Sequence, residues 1–211
     1  MLLAIDTSAG TSVAVVDLHG GILAERQSDD PRLHAEVIGT LLDDCLRASG
    51  VARDELSAIA AGMGPGPFTG LRVGIAAAQA FALGVRKPVV RVVSHDAIAA
   101  ASYEKGAEGG MLVVTDARRR ELYWSTYSGL DDGGLPKRVG EPGLTRPENL
   151  ADAVPGVHGY TRIDAVTVSA GALGMVAERM HAAGRTFAGI HPLYLRSPDV
   201  TLSAGPKRVT G

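Results

Sequence analysis

Gly64-Pro65-Gly66-Pro67-Phe68-Thr69-Gly70-Leu71-Arg72-Val73-Gly74 is the most distinctive stretch of this 211-residue sequence, and the apolar run from Ile75 to Leu83 follows it directly. Two Gly-Pro steps can neither continue a strand nor lie inside a helix, so the chain must turn sharply here. The Thr69 hydroxyl can accept a hydrogen bond from a free N–H group two or three residues later. This predicts Thr69 as the N-cap of a helix.

Small residues occupy one face of this predicted helix, because positions four apart lie on the same side. The small residues with this spacing are Gly70, Gly74, Ala78 and Ala82. A glycine inside a helix costs up to about 1 kcal/mol relative to alanine, so Gly74 requires a packing reason. We therefore predict a close-packing surface, inside the protein or between proteins. The larger side chains expected to flank it are Leu71, Ile75 and Phe81.

The composition excludes several classes of protein. The formal net charge is −2, from 21 Lys and Arg against 23 Asp and Glu, so no basic field is expected to hold a nucleic acid by itself. The single cysteine, Cys45, excludes an internal disulfide and a cysteine-rich zinc site, and is typical of a reducing compartment. Asp6 interrupts the first apolar residues, so no signal peptide is expected, and the longest apolar run is too short to span a bilayer. We expect a cytoplasmic protein that does not enter a membrane.

A polar turn follows the first predicted strand. The runs from Leu2 to Ile5 and from Ser12 to Asp17 predict two strands, joined by a turn that contains a glycine. The N–H groups and hydroxyls of such a turn can bind phosphate, while a carboxylate can hold Mg²⁺. A plain hairpin turn is the alternative. The candidate nucleotide-binding residues are Asp6, Thr7 and Thr11.

An amphipathic helix is predicted for residues 31–49, with Asp30 as its cap and Gly50 after its end. Its apolar residues are Val37, Ile38, Leu41, Leu42, Cys45 and Leu46. His34 would need a second ligand one turn later to bind a metal, at position 37 or 38. Because both positions carry apolar side chains, no metal site is predicted, and His34 is interpreted as a surface or interface residue.

The second half of the sequence follows a glycine-rich segment. We predict an N-terminal lobe at 1–105, a shorter C-terminal lobe at 106–200 and a mobile tail at 201–211. Strands are predicted at 111–115 and 122–127, with a charged turn between them. Successive arginines in this turn suggest a phosphate or carboxylate partner, and a solvated hairpin tip is the alternative. The candidate anion contacts are Arg118, Arg119 and Arg120.

Several stretches together resemble the TsaB (YeaZ) family, and the similarity extends to about residue 198. The stretches that carry it are the strand followed by Asp6-Thr7-Ser8, His34-Ala35-Glu36, residues 64–74, Asp116-Ala117-Arg118-Arg119 and Tyr194-Leu195-Arg196. The Gly-Pro-Gly-x-Phe-Thr-Gly-Leu-Arg pattern is the most specific of them. Pro67 is a departure, because a serine is common there in the family.

The resemblance implies an α/β protein with a two-lobed, actin-like ASKHA (ribonuclease H-like) fold, in which mixed sheets are flanked by helices and the second lobe is reduced. It also implies a role in bacterial tRNA modification as the required partner of TsaD. TsaD, with the ATPase TsaE, transfers a threonylcarbamoyl group from its adenylate to the adenosine beside the anticodon. ATP, Mg²⁺ and a metal are therefore expected only in the partner subunits, no cofactor is expected in this chain, and tRNA is expected to interact through the complex.

The residues favour the same partner role. TsaD-type proteins bind metal through two histidines one helical turn apart, whereas Ile38 stands at the second position here. The short second half offers few candidate phosphate loops, and no nucleophile–base pair has supporting spacing. We therefore predict a subunit that is not itself an enzyme. Two alternatives are a weak ATPase or kinase that uses the candidate nucleotide-binding residues, and a peptidase.

The predicted surface for TsaD combines the helices at 31–49 and 70–83. The same apolar surface is expected to pair two copies of the chain as a homodimer when TsaD is absent. Its predicted contact residues are His34, Val37, Leu41, Gly70, Leu71, Gly74, Ala78 and Phe81.

Overall fold

The structure is a computed structural model that describes residues 1–28, 30, 33–185 and 188–196. The strands are β1 (Leu2–Asp6), β2 (Thr11–Asp17), β3 (Gly21–Ser28), β4 (Ala58–Gly62), β5 (Val89–Val92), β6 (Met111–Asp116), β7 (Leu122–Leu130), β8 (Pro136–Thr145) and β9 (Thr161–Ala165). The helices are α1 (His34–Ser49), α2 (Phe68–Val85), α3 (Ser94–Glu104), α4 (Leu150–Ala153) and α5 (Ala170–Ala182). Short 3-10 turns at Pro147–Asn149 and Val157–Gly159 flank α4. The predicted tail at 201–211 lies outside the described residues.

The first sheet has the strand order β3-β2-β1-β4-β5. β1 pairs antiparallel with β2 and parallel with β4, so it lies at the centre of the sheet. Every residue of β1 and β4 is buried. A strand covered on both faces is a continuous apolar run rather than an alternating one, which explains why such runs predicted these strands.

The second sheet repeats this topology with one strand fewer. Its order is β8-β7-β6-β9, and β6 pairs antiparallel with β7 and parallel with β9. The strands predicted at 111–115 and 122–127 are confirmed as parts of β6 and β7. The polar strand β8, four of whose ten residues are exposed, was not predicted. The two related sheets confirm the two-lobed ASKHA fold, and the missing strand makes the second lobe the reduced one.

Helices form three layers around the two sheets. α1 and α2 cover the outer face of the first sheet, and α4 covers the outer face of the second. α3 and α5 fill the space between the sheets, where the largest apolar core lies. α5 packs mainly on the first sheet although it follows the second in sequence, and α3 contacts strands of the second sheet. A division at residue 105 therefore separates the strands of the two lobes but not their helices.

The first turn of α3 joins the two lobes. The Ser94 hydroxyl donates to Asp6 in the first lobe at 2.5 Å. His95, the next residue, lies between the hydroxyls of Thr115 and Ser125 in the second sheet, at 2.9 and 2.8 Å. His95 is completely buried, and this burial lowers the pKa of its imidazole to about 3. The ring is therefore neutral at pH 7.

The two outer helices do not begin where they were predicted to begin. α2 begins at Phe68 with Pro67 as its N-cap, so the prediction of Thr69 as N-cap is wrong. Proline fixes φ and here ends the preceding turn without a capping hydrogen bond. α1 begins at His34 with Leu33 as its N-cap, rather than at residue 31. By length and composition alone α2 could cross a membrane, but it packs on the first sheet.

Candidate functional site

The carboxylate of Asp6 is sealed inside the protein at the end of β1. Its Oδ1 accepts hydrogen bonds from the Ser8 backbone N–H and hydroxyl, at 2.8 and 2.6 Å. Its Oδ2 accepts the Ser94 hydroxyl, and a side chain at position 62 would collide with it. Burial raises the pKa of the Asp6 carboxyl, although these hydrogen bonds oppose the shift. This geometry argues against the predicted role of Asp6 as a Mg²⁺ ligand, because the protein already engages both oxygens.

Thr7 fastens the β1–β2 turn to α2. Its hydroxyl donates to the Gly70 carbonyl at 2.7 Å and accepts the backbone N–H of Gly74 at 3.1 Å. A Cβ on Gly74 would overlap the Thr7 side chain, and a Cβ on Gly70 would lie 2.7 Å from the Thr7 carbonyl oxygen. The glycines of α2 therefore allow close approach to this turn.

The small-residue face of α2 is consequently covered inside the monomer. Leu71 and Ala78 are completely buried, Ala82 is 2% exposed, and Gly70 and Gly74 are also buried. The prediction that Gly70, Leu71, Gly74 and Ala78 contact a partner is corrected by this burial, because the β1–β2 turn and the first sheet already cover them. Close packing itself was predicted correctly.

The exposed part of the two outer helices forms a separate surface, which we call the α1–α2 face. Its small or apolar exposed residues are Ala35, Gly39 and Thr40 of α1 with Thr69, Ala76, Ala80 and Leu83 of α2. Among the predicted contact residues, Val37, Leu41 and Phe81 are half-buried. Leu83 is 81% exposed, which is a large exposure for a leucine. The exposed sides of the two helices also carry Glu36 and Arg72, so this face combines small side chains with one acidic and one basic residue.

His34 is buried beneath this surface rather than exposed on it. It is 8% exposed, and its Nδ1 lies 2.7 Å from the Thr11 hydroxyl oxygen. Burial lowers the pKa of the imidazole. Ile38, one turn later, packs in the core below α1. In the part of the chain that the structure describes, no group of three His, Cys, Asp or Glu side chains could hold a metal ion.

The β6–β7 turn has an unusual backbone. Arg118, Arg119 and Arg120 have φ values of 61°, 54° and 60°, in the left-handed region. Each non-glycine residue there costs roughly 1–2 kcal/mol. Hydrogen bonds hold the turn: Ala117 N–H donates to the Glu121 carbonyl at 2.9 Å, and Glu121 N–H donates to the Arg118 carbonyl at 3.0 Å. Arginine has no preference for this conformation, so the sequence could not have revealed it.

The C-terminal strap, residues 188–196, supports this turn and the loop before α2. Arg196 donates to the Arg118 carbonyl and pairs with Glu121. The ring of Tyr194 lies 4.8 Å from that of Phe68 in α2. The sequence pointed to Tyr194-Leu195-Arg196 only through the family resemblance, because no local pattern shows what a terminal segment touches.

A cleft of about 640 Å³ opens between the lobes. Its walls are the β1–β2 turn, the first turns of α1 and α2, and the β6–β7 turn. Its polar lining residues are Ser8, His34, Glu36, Thr69, Asp116 and Arg118. The candidate nucleotide-binding residues Asp6, Thr7 and Thr11 are buried and do not line it. Arg118 is therefore the candidate anion contact that the structure places in the cleft.

The two related sheets and the cleft between them define an α/β protein of the actin-like ASKHA class. A profile of the family described as “TsaD: tRNA N6-adenosine threonylcarbamoyltransferase” matches residues 8–139, more than half of the chain. The Escherichia coli protein named tRNA threonylcarbamoyladenosine biosynthesis protein TsaB is 33% identical over 147 residues, which are 70% of this chain and 63% of that protein. An uncharacterized protein of Mycobacterium tuberculosis is 41% identical over 128 residues, 60% of this chain and 58% of its own length. The chain thus matches less than two thirds of the length of these relatives.

Two solved structures are also similar to this chain. YeaZ from Pseudomonas aeruginosa is 29% identical, with a TM-score of 0.73 over 87% of this chain and 92% of that chain. A second P. aeruginosa structure, described as an uncharacterized protein with similarity to peptidase YeaZ, gives a TM-score of 0.77 at 29% identity over 92% and 99% of the two chains. The chain therefore belongs to the TsaD family, in its TsaB (YeaZ) branch.

Proposed function

We propose that this chain is a non-catalytic subunit of the bacterial complex that forms threonylcarbamoyladenosine in tRNA. In this role it binds TsaD, with TsaE as a further partner, and supports transfer of the threonylcarbamoyl group to the adenosine beside the anticodon. Family membership supports a part in this process, and a tRNA-modifying role supports a cytoplasmic location. tRNA and the chemistry belong to the complex rather than to this subunit alone.

One observation carries the non-catalytic part of the proposal. The polar groups of the β1–β2 turn that would hold a metal-bound phosphate are used to build the fold. Asp6 accepts three internal hydrogen bonds, Thr7 bridges to α2, and the Thr11 hydroxyl pairs with a buried imidazole. Releasing such groups to a ligand would leave buried donors and acceptors unpaired, at about 1–3 kcal/mol each.

The α1–α2 face supports a protein partner. Small side chains on both helices let another helix approach closely, and burial of an exposed leucine contributes about 1.5–3 kcal/mol. A partner of the same fold presents two equivalent helices, so the face can pack against its counterpart in TsaD. By the same geometry two copies of this chain can form a symmetric homodimer when TsaD is absent.

A weak ATPase or kinase is the second candidate, because the interlobe cleft is large enough for a small ligand. It needs a carboxylate that can reach a metal in this cleft. Asp6 is buried behind the cleft, so Glu36 or Asp116, which line it, would have to serve. Mg-ATP binding tighter than roughly 10 μM in calorimetry would favour this candidate.

A peptidase has little support beyond the name given to one structural relative. Cys45 is buried, and burial raises the pKa of its thiol, whereas a nucleophilic cysteine needs a lowered pKa. Within the described residues no metal-binding cluster could replace it. One tightly bound zinc or iron per purified chain would revive this candidate.

Co-purification with TsaD tests the proposed surface. Ala76→Glu and Ala80→Glu each place a charge on the exposed side of α2, where burial against a partner would be strongly unfavourable. We expect both variants to lose TsaD while they retain the circular dichroism spectrum of the unmodified chain. Ala182→Glu, an equal change on the exposed end of α5, is the control and should retain TsaD. Undiminished co-purification of both α2 variants would reject this surface.

A further inference from the structure

We propose that the interlobe cleft is a binding site for a small carboxylate that also carries an ammonium or hydroxyl group. The site is formed by the first turn of α2, His34 and Arg118, and differs from the predicted nucleotide-binding residues of the β1–β2 turn. The inference does not depend on the proposed partnership with TsaD.

The start of α2 provides hydrogen-bond donors at the cleft. The first backbone hydrogen bond into the helix runs from Leu71 N–H to the Pro67 carbonyl, at 3.0 Å. The N–H groups of Phe68, Thr69 and Gly70 precede it and have no carbonyl within the helix. Thr69 and Gly70 line the cleft, and Thr69 is exposed. The positive end of this 18-residue helix favours an anion at the same place.

His34 contributes a second and independent donor. The side chain is 92% buried, so its ring is held in one position, and it lines the cleft. Its Nδ1 is occupied by the Thr11 hydroxyl, whereas Nε2 lies toward Gly70, 3.0 Å from where a Cβ of that residue would stand. In the ring tautomer whose Nδ1 accepts from Thr11, Nε2 carries the proton and can donate to a ligand. Among the described residues no hydrogen-bond partner of Nε2 is found, which leaves it for a ligand.

Arg118 supplies the positive charge from the opposite lobe. Its side chain is 56% exposed, lines the cleft and lies 3.8 Å from Asp116, so this ion pair is loose. The left-handed backbone conformation of Arg118 is unfavourable by itself. Its N–H donates to Asp116 and its carbonyl accepts from Arg196, and these two hydrogen bonds hold the conformation. Retained strain of this kind is typical of ligand-binding positions.

Two carboxylates decide which anion fits. Glu36 and Asp116 also line the cleft, and they would repel a multiply charged phosphate. They can accept hydrogen bonds from an ammonium or hydroxyl group of the same ligand. A molecule with one carboxylate and such a donor satisfies both sets of groups, which is why we propose this class rather than a polyphosphate.

An NMR titration of the ¹⁵N-labelled full-length chain tests the site. The probes are L-serine, acetate and inorganic phosphate, added separately. We expect L-serine to shift the amide signals of Thr69 and Gly70 and the ring signal of His34 saturably, with a dissociation constant on the order of 1 mM. Acetate should bind more weakly, because it cannot engage the two carboxylates.

Matched arginine variants separate the site from general charge. Arg118→Ala should weaken serine binding roughly tenfold, which corresponds to about 1.4 kcal/mol. Arg120→Ala removes the same charge from an exposed residue that does not line the cleft, and should leave binding unchanged. Equal weakening by both variants, or no saturable shift at Thr69 and Gly70 with any probe up to about 100 mM, would overturn the site. Tighter binding of phosphate than of L-serine would overturn the proposed ligand class.

Discussion

The hydroxyl oxygen of Thr7 lies 3.1 Å from the backbone nitrogen of Gly74, 67 residues further along the chain. Through this contact the β1–β2 turn occupies the space that a side chain on α2 would need. The most conspicuous glycine of the helix therefore serves the interior of the monomer, and the other side of α2 is the one that stays exposed.

Gly74→Ala should lower the free energy of unfolding by roughly 2–4 kcal/mol. The added Cβ would overlap the short, fixed side chain of Thr7, and overpacking of this kind combined with a lost buried hydrogen bond has that magnitude. Urea denaturation followed by circular dichroism measures the change.

Gly39→Ala is the matched control, because Gly39 is a helical glycine of α1 with open space around its Cβ position. There the substitution should raise the free energy of unfolding by roughly 0.5–1 kcal/mol. If both substitutions stabilised the protein, the close approach of Thr7 to α2 would be refuted.

The stability of the protein should decrease below about pH 6.5 because of His95. The unfolded imidazole binds a proton near pH 6.5, whereas the folded one does so only at about 3. Between these values the unfolded state binds more protons, so protonation favours unfolding. The contribution amounts to about 1.4 kcal/mol per pH unit, or roughly 2 kcal/mol between pH 6.5 and 5.

His95→Gln isolates this effect, because glutamine can bond to Thr115 and Ser125 without titrating. Asp6 and Asp96 have pKa values raised by burial, and their contribution has the opposite sign, since the folded state gains protons first as the pH falls. Both proteins contain these two carboxyls, so their contribution cancels when the pH dependence of the unfolding free energy of one protein is subtracted from that of the other. If the unfolding free energy of the two proteins depended equally on pH, His95 would not be the cause of the loss of stability at low pH.

Arg120→Gly should stabilise the protein relative to Arg120→Ala by about 1 kcal/mol. Both variants remove the same side chain, but glycine alone adopts a φ of 60° without cost. At an ordinary exposed position glycine would instead be the less stable of the two. The midpoint temperatures of thermal unfolding of the two variants measure this difference. A higher midpoint for the alanine variant would contradict the left-handed backbone at residue 120.

Much of the fold could be predicted from the sequence because its central strands are short apolar runs bounded by polar turns. The run from Leu2 to Ile5 predicted a buried strand, and the spacing of Gly70, Gly74 and Ala78 placed them correctly on one face. What covers that face depends on Thr7, which is distant in sequence and carries no periodic signal. Periodicity shows that a surface is buried and does not show by what.

The candidate site was harder to predict for a related reason. Asp6 and Thr11 have the residue types of a phosphate-binding turn, but their partners Ser94 and His34 meet them only in the folded chain. The left-handed turn at 118–120 depends on Arg196, close to the end of the described residues. The resemblance to a family indicated that these stretches matter, and the contacts among them showed how.

Transfer of the threonylcarbamoyl group from its adenylate to tRNA tests the central claim most directly, with TsaD and TsaE present or absent. We expect no transfer by this chain alone, stimulation of TsaD by the unmodified chain, and stimulation within a few-fold of that level by Asp6→Asn, because Asp6 is structural. Ala80→Glu should abolish the stimulation. Transfer by the purified chain alone, or complete loss of activity in a folded Asp6→Asn variant that still binds TsaD, would contradict a non-catalytic role.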